Sequence, residues 1–122
     1  MSRKKSSLDF DHRGGRQTIQ GVILMSEKWL KLSPQAKVLI TLMQRHWDNY
    51  KEVAYGVREA QEKIPCAKST AQKAFKQLEE AGFIKQMSEH VFYDKRSKRK
   101  ARTWRLTWMP FESRAPTNDW EN

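Results

Sequence analysis

Residues 65–84 of the chain read PCAKSTAQKAFKQLEEAGFI, and this stretch decides the fold. Four apolar residues recur at i, i+3, i+4 and i+7, the spacing that places side chains on one face of an α-helix: Ala71, Ala74, Phe75 and Leu78. Gly82 follows the last periodic position, where helices often end with a positive φ, and an apolar strand begins at Phe83. The pattern therefore predicts a helix that ends near Glu80 or Ala81 and leads directly into a strand.

The opposite face of this helix displays polar side chains that suit a nucleic-acid groove: Ser69, Gln72, Lys73 and Lys76. A helix is narrow enough to enter the major groove, where such donors contact bases and phosphates. Because Glu79 and Glu80 would repel phosphate, we expect the contacts to come from the first half of the helix. An ordinary amphipathic core helix has the same pattern, so the functional interpretation depends on the neighbouring segments.

Two more helices are predicted upstream. Val57, Ala60 and Ile64 recur at helical spacing and predict a two-turn helix that ends before the turn at residues 65–67. Ser33 followed by Pro34 is a strong helix start. The apolar stripe of that helix contains Ala36, Leu39, Ile40, Met43 and Trp47, and a second stripe contains Val38 and Leu42. Residues 53–55 predict a short strand that can pair with a later hairpin.

A β-hairpin with a strongly basic tip is predicted after Gly82. Trp104, Leu106 and Trp108 alternate with polar residues at period two, which is typical of a strand. Residues 93–102 contain six cations against the single anion Asp94, a net charge of +5. These cations are Lys95, Arg96, Lys98, Arg99, Lys100 and Arg102. Because these cations repel one another and cannot be buried, we expect a free tip to be mobile and to contact phosphate, although a solvated turn kept soluble by lysines is the alternative.

The composition of the whole chain also favours a polyanionic partner. At 122 residues the chain has room for one domain, and its formal charge of +10 favours nucleic acid or an anionic membrane surface. The longest aliphatic run, at residues 22–25, is too short to span a bilayer, and no apolar segment follows the basic N-terminus. We therefore expect a cytoplasmic protein without a membrane partner. Cys66 is the one cysteine, and we interpret it as structural.

Both ends of the chain resemble appendages. We interpret residues 1–16 as a flexible basic arm, residues 17–110 as the folded domain and residues 111–122 as a polar C-terminal tail. In that tail Trp120 is expected to be disordered or packed locally. Residues 18–25 have the β-branched content of a strand. Ser26 is expected to cap a short helix that presents Trp29 and Leu30 to the core, and this segment either covers the first long helix or forms a homodimer.

The residues VREAQEKIPCAKSTAQKAFKQLEEAGFI (57–84) and VFYDKRSKRKARTWRLTWMP (91–110) carry a family resemblance. They resemble small bacterial winged helix-turn-helix proteins and, more distantly, the winged helices of plasmid and phage replication initiators and transcription regulators. The resemblance implies an α+β, mainly helical fold with a three-helix core and a β-hairpin wing, and double-stranded DNA as partner. It further implies wing contacts from the run 95–100 and recognition-helix contacts from Lys68, Ser69, Thr70, Gln72 and Lys73.

Few residues suit catalysis. His12, His46 and His90 have no spacing typical of metal ligands, and neither a phosphate-binding glycine motif nor a carboxylate cluster is present. We therefore expect no enzymatic activity, no metal, no cofactor and no small-molecule substrate.

The sequence thus predicts a sequence-specific double-stranded DNA-binding protein with a role in transcription regulation or replication. Two alternatives stay open. Trp104 and Trp108, beside Arg102 and Arg105, could stack the bases of RNA or of another single-stranded nucleic acid, although their alternation with Leu106 favours packing against the helices. A winged helix whose hairpin docks on an acidic protein is the second alternative.

Overall fold

The structure, a computed structural model, describes residues 14–87 and 92–122. Residues 1–13 of the predicted basic arm, which include His12, lie outside these ranges, and so does His90.

Within the described residues the chain has an α+β fold of five α-helices, four β-strands and a short 3-10 helix. The helices are α1 (Gly21–Leu24), α2 (Glu27–Leu30), α3 (Pro34–Gln44), α4 (Val57–Lys63) and α5 (Lys68–Glu80). The strands are β1 (Val53–Tyr55), β2 (Ile84–Gln86), β3 (Phe92–Asp94) and β4 (Arg99–Leu106), and the 3-10 helix is Asp119–Glu121. None of the helices in the described ranges has the length and apolar content that crossing a membrane requires.

Strand β4 is the centre of an antiparallel sheet. It lies between β1 and β2, and its first half also pairs with β3. Val53 is opposite Trp104, Ile84 is opposite Leu106, and Tyr93 is opposite Lys100. The predicted pairing of residues 53–55 with the later hairpin is therefore confirmed. The β3–β4 hairpin, as the term is used below, consists of residues 92–106.

Helix α3 begins as its sequence predicts. The Ser33 hydroxyl accepts a hydrogen bond from the amide of Ala36 at 3.1 Å, and Pro34 occupies the first turn. The predicted stripe is buried at Ala36, Leu39, Ile40 and Met43. The second stripe is wrong at Val38, whose side chain is 44% exposed, because α3 packs on the core along one face only.

Helices α4 and α5 meet across the short turn and have the predicted limits. The apolar stripe of α5 is buried, and the helix ends at Glu80. Gly82 has a φ of 88°, and a Cβ atom at this position would lie 2.7 Å from the carbonyl oxygen of Asp119. Glycine is therefore needed here both for the backbone turn and for the close approach of the C-terminal segment.

The N-terminal segment differs from the prediction. Residues 21–24 form helix α1 and not part of a strand, because the amide of Met25 bonds to the carbonyl oxygen of Gly21 at 3.0 Å and closes a helical turn. The Ser26 cap is confirmed by its bond to the amide of Trp29 at 3.2 Å. Trp29 packs against the core, whereas the prediction is wrong for Leu30, which is 62% exposed.

The C-terminal segment is joined to the core more closely than a polar tail implies. Trp120 is only 6% exposed and belongs to the main hydrophobic core. Its ring stacks on that of Phe83, with 5.9 Å between centroids and an interplanar angle of 14°. The amide of Asn118 also bonds to the carbonyl oxygen of Thr107 at 2.8 Å. Trp120 is therefore a packed residue and not a disordered one.

Candidate nucleic-acid interface

A cleft of about 850 Å³ separates helix α5 from strand β4. Its floor contains the rings of Tyr55, Phe75 and Trp104. Five cations line it, and we call this set the basic cleft: Arg58 on α4, Lys68 and Lys76 on α5, and Lys100 and Arg102 on β4. Glu79 is the one anion among the lining residues.

Two sequence periods create the two walls of the cleft. Lys68, Gln72 and Lys76 are spaced by four residues and so form one stripe along α5, next to its buried stripe. On β4, Lys100 and Arg102 alternate at period two with their neighbours and share the strand face of Trp104. The Trp104 ring stacks on that of Phe75, with 5.4 Å between centroids. This aromatic contact brings the two basic walls together.

The six residues predicted to form contacts on the recognition helix all lie on α5. Lys68, Ser69, Gln72, Lys73 and Lys76 are exposed, and Thr70 is half-buried. Ser69 and Lys73 are not among the residues that line the cleft, so they lie on the part of the helix that faces outward. The exposed side of α5 therefore spans both the cleft and the adjoining surface.

The tip of the hairpin is an ordered turn built around Asp94. Its carboxylate accepts bonds from the amide of Arg96 at 3.1 Å and from the hydroxyl of Ser97 at 2.9 Å. The amide of Lys98, which has a φ of 59°, donates to the carbonyl oxygen of Asp94 at 2.7 Å. Residues 95–98 form the turn, so Arg99, Lys100 and Arg102 belong to β4 and not to the tip itself.

Arg96 corrects the expectation of a free tip, because it joins the tip of the hairpin to α4 and β1. Its guanidinium donates two bonds to the carboxylate of Glu59, at 2.7 and 2.9 Å, and a third to the carbonyl oxygen of Ala54 at 2.9 Å. The Glu59 side chain is only 8% exposed, so its charge needs a partner at this place. The bonds to Glu59 raise the pKa of Arg96 above its ordinary value, against the opposing effect of burial.

A second ion pair joins the hairpin to α4. Arg99 donates to the carboxylate of Glu62 at 2.7 Å, and this bond lowers the pKa of Glu62 and raises that of Arg99. Glu59 and Glu62 are three residues apart and share one face of α4. That spacing is the signal in the sequence that could have indicated the two ion pairs. The other cations of residues 93–102 have no ion pair with a described residue: Lys95, Lys98, Lys100 and Arg102.

Trp104 and Trp108 are both buried and hydrogen-bonded. The indole nitrogen of Trp104 donates to the carbonyl oxygen of Tyr55 at 3.1 Å, and that of Trp108 donates to the side-chain oxygen of Gln44 at 2.9 Å. Neither ring is available to stack on a base, so packing against the helices is their role. Tyr93 is an exposed aromatic residue on the hairpin.

His46 packs beside Tyr55, close to the Arg96–Glu59 ion pair. Its ring centroid is 5.9 Å from that of Tyr55, and burial, followed by the positive charge of Arg96, lowers its pKa. Over residues 14–87 and 92–122 there is no group of three or more His, Cys, Asp or Glu side chains that could hold a metal ion.

The chain was compared with protein-family models, with curated proteins and with solved structures, and no match was found in any of the three comparisons. Its function must therefore be inferred from the basic cleft and the hairpin themselves.

Proposed function

We propose that the chain is a winged helix-turn-helix protein that binds double-stranded DNA in a sequence-specific manner. Helices α3, α4 and α5 correspond to the three-helix core, α5 to the recognition helix, and the β3–β4 hairpin to the wing. The observation that carries this proposal is the basic cleft, in which the exposed side of α5 and the basic side of β4 face one another. Transcription regulation and replication are the roles that such an activity serves.

Charge supports a polyanionic partner. Five cations and one anion line the cleft, in a chain whose formal charge is +10. Phosphate neutralisation by Lys and Arg releases condensed counterions, which supplies affinity for any DNA sequence. This contribution fixes the orientation of the protein on the duplex, whereas specificity must come from contacts with base edges.

The ends of α5 favour docking through its N-terminal half. Ala67 precedes the helix and has no side-chain group that can cap its first amides, which suits donation from these amides to a phosphate oxygen. Lys68 and Ser69 are exposed beside them. Glu79 and Glu80 are exposed at the other end, where they repel phosphate. Ser69, Gln72 and Lys73 are then the side chains placed to read base edges.

Selection of bound sequences from a random duplex pool tests this proposal, followed by two alanine variants. Lys73→Ala should weaken binding to the selected site about tenfold or more, and to random DNA much less, because a base contact contributes about 1–3 kcal/mol of discrimination. Lys98→Ala should weaken binding to both alike and reduce the salt slope by about one unit. Lys85→Ala is the matched control, since Lys85 is exposed and lies on the sheet face opposite that of its neighbour Gln86, which lines the cleft.

Three results would contradict the proposal. If the pool yields no enriched sequence, and Lys73→Ala and Lys98→Ala cause equal losses on every duplex, the binding is non-specific. If RNA or single-stranded DNA outcompetes the duplex, the partner is of another class. If binding is indifferent both to nucleic acid and to salt, the hairpin serves a protein partner instead.

A further inference from the structure

We infer that Arg96 is a positioning residue and not a phosphate contact: its ion pair with Glu59 holds the β3–β4 hairpin at a fixed separation from α5 and so sets the width of the basic cleft. This inference rests on the proposed function, and it gives one of the hairpin cations a different role from the others.

The contacts of Arg96 lead from the tip of the hairpin to the recognition helix. Its guanidinium lies 5.7 Å from the centroid of the Tyr55 ring, in addition to its bonds with Glu59 and Ala54. The Tyr55 ring centroid is 6.5 Å from that of Phe75, which belongs to the buried stripe of α5. Tyr55 therefore contacts both Arg96 at the tip of the hairpin and Phe75 on α5, so a shift of one wall of the cleft is opposed by the other.

Burial of Glu59 makes the Arg96–Glu59 pair the stronger of the two ion pairs between the hairpin and α4. The Glu59 side chain is 8% exposed, so its carboxylate depends on Arg96 as its partner, and neutralisation of Glu59 removes the ion pair. The two arginines are about equally exposed, at 36% for Arg96 and 34% for Arg99, but the Glu62 side chain is 53% exposed, so the Arg99–Glu62 pair contributes less. Both pairs direct hairpin cations toward α4 and so away from a ligand in the cleft.

The variant Glu59→Gln distinguishes a positioning role from an effect of charge alone, because the two explanations predict opposite changes in affinity. Glu59→Gln raises the net charge by one, and more positive charge alone should strengthen binding to a polyanion. Loss of positioning predicts the opposite, and we expect binding to the selected duplex to weaken about tenfold, which corresponds to about 1.4 kcal/mol. Glu79→Gln is the matched control: it makes the same charge change on a residue that lines the cleft, and it should strengthen binding about two- to threefold.

A double variant keeps the test valid if Glu59→Gln alone does not fold. Glu59→Gln combined with Arg96→Gln has the charge of the native chain and leaves no charge at either position. Asp94, whose carboxylate lies 3.4 Å from the Arg96 guanidinium in the native protein, keeps its bonds from the amide of residue 96 and the Ser97 hydroxyl. If the two residues act as one unit, the double variant should bind as weakly as Arg96→Gln alone, without a further loss. Its salt slope should stay within about half a unit of the native slope, whereas a lost phosphate contact would lower the slope by about one unit.

Amide hydrogen exchange on the free protein tests the role of the Arg96–Glu59 ion pair in the absence of DNA. We expect the amide of Lys98, which bonds to Asp94, to exchange at least about tenfold faster in Glu59→Gln, while the buried amides of α5 keep their protection. Equal acceleration throughout the fold would show general destabilisation and would overturn the positioning role. If Glu59→Gln binds the duplex more tightly, as Glu79→Gln is expected to do, the positioning role is also overturned. The proposed function would not be affected by that result. Failure of the native protein to bind any duplex would instead overturn the proposed function and this inference together.

Discussion

The affinity of the protein for duplex DNA should fall steeply as salt concentration rises. Seven exposed cations line the basic cleft or lie in the turn at residues 95–98, and none of them has an ion pair with a described residue: Arg58, Lys68, Lys76, Lys95, Lys98, Lys100 and Arg102. If each contacts one phosphate, the slope of log K against log salt is about −6, since each neutralised phosphate contributes about −0.9. Affinity should then fall about five-thousand-fold between about 50 and 200 mM salt.

Fluorescence anisotropy of a labelled duplex across that range of salt measures this slope. The count leaves out Arg96 and Arg99, which are held by Glu59 and Glu62, and including both would steepen the slope to about −8. Lys98→Ala combined with Lys100→Ala should reduce it by about two units, whereas Lys85→Ala should leave it unchanged. A slope shallower than about −3 in the native protein would refute the assignment of these cations to phosphates.

Three further predictions concern stability. Trp120→Ala should lower the free energy of unfolding by about 3–5 kcal/mol in a urea titration, because the ring is packed in the core. Leu30→Ala on the surface should change it by less than about 0.5 kcal/mol. Equal effects of the two substitutions would contradict the packing of the C-terminal segment. Gly82→Ala should lower the melting temperature by several degrees, because the new Cβ would lie 2.7 Å from the Asp119 carbonyl oxygen at a positive φ; an unchanged melting temperature would show that the C-terminal segment does not approach this glycine. Folding lowers the pKa of His46, so the unfolded chain binds a proton at this side chain at a higher pH than the folded chain does. The contribution of neutral His46 to stability is therefore fully present above the ordinary pKa of 6.5 and decreases as the pH falls below that value. His46→Gln should therefore lose less stability than the native protein between about pH 7.5 and 5.5 in thermal unfolding, and a loss equal to the native one would exclude His46 as the cause.

Local patterns in the sequence predicted most of the secondary structure. Helices α3 and α5 each bury a stripe at helical period, α4 buries Ala60 with Val57 and Ile64 packed against the core, and β4 buries Trp104 and Leu106 at period two. The signals at Ser33 and Gly82 also identified a helix start and a helix end, because capping geometry depends on only a few neighbouring residues.

The parts that sequence reasoning missed depend on contacts between distant residues. Arg96 and Glu59 are 37 positions apart, and although the spacing of Glu59 and Glu62 indicates an acidic face on α4, it does not show which cations of the chain meet that face. Trp120 is a single apolar residue in a polar segment, so it has no periodicity that could indicate burial. At residues 21–24 the β-branched content favoured a strand, but a short segment that closes its own helical turn overrides that preference.

The position of β4 in the sheet has a consequence for how the protein forms as it is synthesised. Each of the other three strands pairs with β4, which is the last of the four in chain order. Until residues 99–106 leave the ribosome, β1, β2 and β3 have no described strand to pair with, while the α3–α5 contacts can already be made. We therefore expect a nascent helical unit to wait for β4, so that the sheet and the cleft beside it form together in one late step.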